Sequence, residues 1–283
     1  MVRALRGRLR VQIWIAAILT CFSSSACVSH LEQAKLDYAR GQTLSRLYQT
    51  ADALAFYKRS LLEASEETKN RPSAQAFAVK GMAEFKLSLW KEAETSFLEA
   101  FSYGFAEGEE WAADVSLLGL AATFKEMGLS DQAARSYESL LAKSKFRPVL
   151  LVAAQRHSEL RLSQALGAGE KEKAKILAES LKLIEKLSQS DWSCGYYHYL
   201  QSQFRSHLGD FGRSFEEAVM AKELGLPSEE ILRDNDLQII FCYRELRKVM
   251  GPEAWKEFES RYQRWIKRWG WKDAETPAWK KGT

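Results

Sequence analysis

Proline is scarce in this chain, five in 283 residues, and cysteine and histidine number only four each. So few prolines suit long uninterrupted helices, because an internal proline removes a backbone donor and clashes with the preceding turn. Four cysteines in a chain of this length exclude a disulfide-dense scaffold. HExxH, GxSxG, a P-loop and paired CxxC strings are all missing, which takes away the usual sequence signs of metalloprotease, serine-hydrolase, nucleotide-phosphate and zinc-finger chemistry. The histidines are His30, His157, His198 and His207. His198 and His207 fall on one expected helix, nine residues or two and a half turns apart. They point to opposite sides and cannot chelate one metal. No segment sustains the period-two β-branched alternation of a strand. No cofactor is implied.

A lasting excess of charge is missing as well. The 41 basic side chains exceed 37 acidic ones by four, and Arg3, Arg6, Arg8 and Arg10 supply that difference. Without them the chain is formally neutral, which gives no electrostatic reason to expect nucleic acid as a partner. Those arginines precede an apolar run, Val11 to Phe22, and the small residues Ser23 to Ala26. Twelve apolar residues in a helix rise about 18 Å, short of a hydrocarbon core of roughly 30 Å, so the pattern is that of a signal peptide over residues 1–26. Cys27 follows. The string Ser24-Ser25-Ala26-Cys27 resembles the lipobox of bacterial lipoproteins, whose cysteine is acylated and becomes the mature N-terminus. Ser24 stands where that family usually has Leu, and an ordinary signal peptidase would accept the same bond. The resemblance implies lipidation at Cys27, a tether over residues 27–31, and a membrane-anchored protein facing the periplasm, with Val28 leaning toward the outer membrane.

The remainder repeats itself. Ala93 with Phe97 and Ala100 recurs as Ala133 with Tyr137 and Leu140, 40 residues on. Steps of 40 or 41 place further anchors at Ala53, Ala174, Ser214 and Ala254. Twelve residues before each anchor lie Gly41, Gly81, Ala121, Leu162, Ser202 and Cys242, five of them small. Five residues before each lie Tyr48, Ser88, Gly128, Gly169, Gly209 and Val249, with turn chemistry in the central four. Small residues on two facing helices permit close crossing, and the aromatic fills the space between neighbouring units. The pattern resembles the tetratricopeptide repeat. It implies an all-α, right-handed solenoid of six two-helix units over residues 32–269.

First helices are expected near 32–47, 73–87, 112–127, 150–166, 192–208 and 229–249. Second helices are expected near 50–64, 90–103, 130–143, 171–187, 211–224 and 252–268. Proline and glycine punctuation separates the units, and Ser228 is a candidate N-cap. Cys194 and Cys242 are offset by about eight residues in register, roughly 12 Å along a helix, too far for a disulfide. Both are expected unpaired, with Cys242 buried.

In the family, ligands lie on the first helices of the units. Carried over by register, the candidates are Met82, Phe85 and Lys86, then Leu118, Lys125 and Glu126, then Tyr196, Tyr199, Gln203 and His207. Packing between helices is the competing role for several of them. Residues 270–283 form a second candidate. Five of nine tryptophans follow residue 250, and residues 261–283 hold seven basic and two acidic side chains. Trp255, Trp265 and Trp269 are expected to cap the last unit, while Trp271, Lys272, Trp279, Lys280 and Lys281 form a tail with contacts of its own, to a membrane interface or an acidic partner. The whole implies a binding scaffold for an envelope protein or peptide segment. The alternatives are a small-ligand-binding accessory protein of a solute transporter and an enzyme, for which the register offers only Lys125, Glu126, Glu159 and His207, on different units.

Overall fold

The computed structural model describes residues 29–282, so the signal peptide expected over residues 1–26 and the lipidation expected at Cys27 lie outside the described residues, as does the side chain of Lys281. Twelve α-helices follow one another. They are α1 His30–Arg46, α2 Thr50–Asn70, α3 Ala74–Lys86, α4 Trp90–Tyr103, α5 Glu110–Glu126 and α6 Ser130–Lys143. Then come α7 Arg147–Gly167, α8 Glu170–Ser190, α9 Gly195–His207, α10 Phe211–Leu224, α11 Glu229–Val249 and α12 Pro252–Trp269, with a 3-10 turn at Ala278–Gly282. Each helix lies where the repeat spacing predicts. The fold is an all-α helical-repeat solenoid. Two compact units, Met1–Gly119 and Leu120–Thr283, divide within α5, and no described helix is long and apolar enough to cross a membrane.

Helix starts follow capping chemistry. The backbone N–H groups of Glu32, Ala76 and Ile231 donate to the hydroxyls of Ser29, Ser73 and Ser228, each at 3.2 Å, and Arg213 N–H donates to Asp210. Each satisfies an otherwise orphaned donor. The turn between the two helices of a unit repeats a left-handed residue, at Tyr48 (φ 59°), Ser88 (φ 61°), Gly128 (φ 77°) and Gly209 (φ 78°). Glycine adopts that conformation freely, whereas a side chain there costs about 1–2 kcal/mol. Ser88 is exposed and has little to lose. Ser88→Gly should therefore stabilise the protein by about 1 kcal/mol, read as a higher urea midpoint; no change would mean the turn is not strained.

Packing of the crossings confirms the register in four units. The anchors Ala53, Ala93, Ala133 and Ser214 are all buried. A Cβ built on Gly41 would meet the Tyr57 ring at 2.7 Å, and one on Gly81 would meet Phe97 at 2.8 Å. Phe97 also reaches the next unit, where a Cβ on Gly119 would fall 2.2 Å from its ring. In the fifth unit the contact is polar: Ser214 Oγ donates to the Ser202 carbonyl at 2.8 Å and lies 3.1 Å from Cys242 Sγ. Cys194 and Cys242 are both free and buried.

Two anchors need correction. Ala174 is exposed, and the buried stripe of α8 contains Leu177, Ser180, Ile184 and Leu187. Stepping back by whole repeats of 40 leads from these to Tyr57, Ser60, Ala64 and Glu67, so the fourth anchor is Lys173, and Arg161 stands where the first three units have Gly41, Gly81 and Ala121. Neither can be buried as alanine is. Arg161 instead spans the crossing to Glu179 at 3.3 Å. Ala254 is exposed too, and α12 buries Phe258, Tyr262 and Ile266. That helix closes its compact unit with rings: Phe215 meets Phe258 at 4.9 Å edge-on, and Tyr243 lies 4.7 Å from Tyr262. Trp255, Trp265 and Trp269 pack against this cluster, the capping role expected of them.

The C-terminal segment departs from expectation. Trp271 is buried in the same cluster, so it offers no exposed contact. Tyr262 donates its hydroxyl hydrogen to the Ala274 carbonyl at 2.8 Å, and Trp279 Nε1–H donates to Asp236 at 2.9 Å. Lys222 Nζ bonds the other oxygen of Asp236 at 2.6 Å and lies over the rings of Trp269 and Trp271. Segment 270–282 is therefore folded back onto α10, α11 and α12. Of the expected tail contacts, Lys272 and Lys280 remain exposed.

Candidate functional site

A cavity of about 380 Å³ opens among α7, α9 and α11, all within the second compact unit. Gln155, Ser158, Glu159 and Leu162 line it from α7, and Tyr196, Tyr199, Leu200 and Gln203 from α9. Ser228, Glu230, Ile231 and Asp234 come from the start of α11. These are the first helices of three successive units. Their spacing of three to four residues along α7 and α9 places the lining side chains on one face of each helix.

The walls are mostly polar, with Leu162, Leu200 and Ile231 the aliphatic members. The rings of Tyr196 and Tyr199 stack with centroids 5.8 Å apart. Burial raises the Tyr196 phenol above its ordinary range. Burial, and after it the negative fields of Asp234, Glu159 and Glu230, push Tyr199 up to about 12. Both are neutral hydroxyls at physiological pH. Glu159 is held by Gln155 and Arg156, each at 2.9 Å. Ser158 is 1% exposed, and its Oγ has no hydrogen-bond partner among the described residues.

Of the ten residues expected to contact a ligand, the structure brings Tyr196, Tyr199 and Gln203 together here. His207, the last residue of α9, is exposed and outside the lining; burial and then the charge of Lys173 depress its pKa. Met82 packs against the buried cluster of Ala34, Ala64 and Val79, and the Phe85 ring lies 5.2 Å from Trp90. Met82 thus joins the second unit to the first, and Phe85 packs within its own. Lys86 and Glu126 are exposed and Leu118 and Lys125 half-buried, and none of the four lines this cavity. The α7 residues were findable. With Lys173 as the fourth anchor, Gln155, Ser158 and Leu162 occupy the repeat positions of Tyr196, Tyr199 and Gln203. The α11 residues were not, because that helix contributes its first turns rather than the equivalent positions.

Next to the cavity, α9 is pinned by His198. Its Nδ1 lies 2.7 Å from Glu217 and its Nε2 3.0 Å from the Trp192 carbonyl. Both partners are acceptors, so the imidazolium satisfies both. Burial opposes that charge, but the Glu217 bond and the Trp192 carbonyl outweigh it and raise the pKa above 6.5. A raised value means this stabilisation is complete below the ordinary pKa and is lost as pH rises through the folded one. The melting temperature should decline between about pH 6 and pH 8, and His198→Gln should flatten that decline. An identical slope in the variant would assign it to other groups.

Among the described residues, no group of three or more His, Cys, Asp or Glu could hold a metal. No family model matches the chain, and no curated protein sequence matches it. Solved structures of similar fold include YrrB, a TPR protein with an unusual peptide-binding site, at 15% identity and a TM-score of 0.41, covering 70% of this chain and 89% of that one. PilF of Pseudomonas aeruginosa aligns at 11% identity and a TM-score of 0.47, covering 82% and 99%. A tetratricopeptide repeat protein from Parabacteroides merdae aligns at 12% and 0.32, covering 78% and 97%.

Proposed function

We propose that this protein is an envelope-tethered interaction scaffold that holds a polypeptide segment on the first helices of its repeats. The observation that carries the reading is the cavity shared by α7, α9 and α11. Its walls combine amides, hydroxyls, carboxylates and stacked rings, which pair with the main chain and mixed side chains of a peptide. An apolar small molecule would want the opposite lining, and only three aliphatic side chains are present. Fluorescence anisotropy with a labelled random heptapeptide pool tests it: the mature chain should bind, and Gln203→Trp, which fills the cavity, should not. Equal binding by both would move the site elsewhere, and no binding by either would sink the reading.

The tether is the other half of the proposal. Cys27 follows a small-residue cleavage string, and acyl chains contribute about 0.8 kcal/mol per buried CH₂, enough with multiple chains to hold a protein on a membrane. We place the anchor in the outer membrane, facing the periplasm. Cys27→Ala should release the protein into the soluble envelope fraction. Continued membrane retention would show that the lipid is not the tether.

A further inference from the structure

Charge in the cavity is one-sided. Glu159, Glu230 and Asp234 line it, and no lysine, arginine or histidine does among the described residues. Helix-start electrostatics account only for Glu230, in the first turn of α11. Glu159 sits deep within α7, and Asp234 lies past the first turn of α11. Arg156 answers Glu159 from outside the lining, whereas Glu230 and Asp234 make no ion pair among the described residues.

Ser158 supplies an independent observation. A hydroxyl this buried is nearly always satisfied, yet Ser158, a residue of the cavity lining, leaves its Oγ without a hydrogen-bond partner among the described residues. Beside it, the Tyr196 and Tyr199 rings offer π faces, which attract cations. The unpaired carboxylates of Glu230 and Asp234, an unpartnered hydroxyl and an aromatic wall together make the complement of a guanidinium or alkylammonium group. The raised Tyr199 pKa agrees, since part of it comes from those same three carboxylates.

We propose that the cavity seats a basic side chain, an arginine or lysine of the bound polypeptide, between the Tyr196–Tyr199 stack and the carboxylates of Glu159, Glu230 and Asp234. This rests on the peptide-scaffold reading and adds the chemistry of the residue that is taken.

Four labelled heptapeptide pools test it by anisotropy on the mature chain, each with random flanks around a fixed central Arg, Lys, Glu or Leu. The Arg and Lys pools should bind roughly tenfold tighter than the Glu and Leu pools, and added salt should narrow the gap. The Glu230→Gln/Asp234→Asn pair changes two exposed side chains, and circular dichroism would verify the helices. It should bring all four pools within about twofold of one another. Ser158→Ala should weaken the Arg pool without affecting the Glu pool. A Leu pool that binds tightest, and is lost in Gln203→Trp, would overturn the basic-side-chain inference while sparing the peptide scaffold. Binding of agmatine alone, with no pool binding, would overturn the peptide scaffold and with it the assignment of the cation to a polypeptide. An Arg preference unchanged in the double variant would also overturn it, since the cation would then sit elsewhere.

Discussion

Phe97→Ala should lower the stability of the protein by roughly 3–5 kcal/mol, the usual cost of emptying a fully buried aromatic site. Phe97 has no exposed surface and sits between two helices that carry glycine against it. The Cβ positions of Gly81 and Gly119 lie 2.8 and 2.2 Å from its ring. The ring is thus the spacer between the second and third units, and α3 and α5 cannot collapse onto alanine without shifting their own packing. Gly119→Ala alone should cost about 1–3 kcal/mol through overpacking. In the Phe97→Ala background the same change should be close to neutral, because the added methyl enters vacated space. Urea unfolding of the four proteins completes the cycle, with an expected coupling of about 1–3 kcal/mol. Strict additivity would show that the ring and the glycine do not share this contact.

Asp236→Ala should cost about 3–5 kcal/mol by a different route. Asp236 is 1% exposed and accepts from both Lys222 and Trp279. Burial raises its pKa, and the Lys222 bond only partly offsets that, so the carboxylate is tolerated mainly for its two donors. Removing it strands the Lys222 ammonium beneath Trp269 and Trp271 without a counter-charge, the costly way to break a buried pair. It also frees the 3-10 turn that carries Trp279. A red shift of tryptophan emission should accompany the loss of stability. A variant within about 1 kcal/mol of wild type would show that the C-terminal segment is not fastened at this point. Lys222→Met with Asp236→Leu, which removes both charges, should recover much of the loss.

Helix positions were legible because the repeat writes them in small residues. Glycine, alanine and serine at the crossings leave a mark every 40 residues, and glycine or serine marks most of the turns. Where the chain departs from small residues, the reading slipped. Ala174 looks like an anchor, but Lys173 holds the position, and the fourth unit therefore offered no groove candidates beyond Glu159, although Gln155, Ser158 and Leu162 line the cavity beside it. The C-terminal segment was misread for another reason. Basic residues alternating with tryptophan look alike whether the rings face a membrane or their own core. Only the fold puts Asp236 beneath Trp279 and the Tyr262 hydroxyl against Ala274. Met82 and Phe85 follow the family register yet serve packing, since an apolar side chain on a first helix suits either role.

The central claim is that the first helices of the last three units hold a polypeptide in the cavity between them. A photo-crosslinking residue at position 203, in living cells that express the protein, tests it most directly. Position 182, exposed on α8, serves as the control. The account predicts a covalent polypeptide adduct at position 203 that maps to one short contiguous segment, with none at position 182. Equal labelling at both positions, or no polypeptide at position 203, would contradict it.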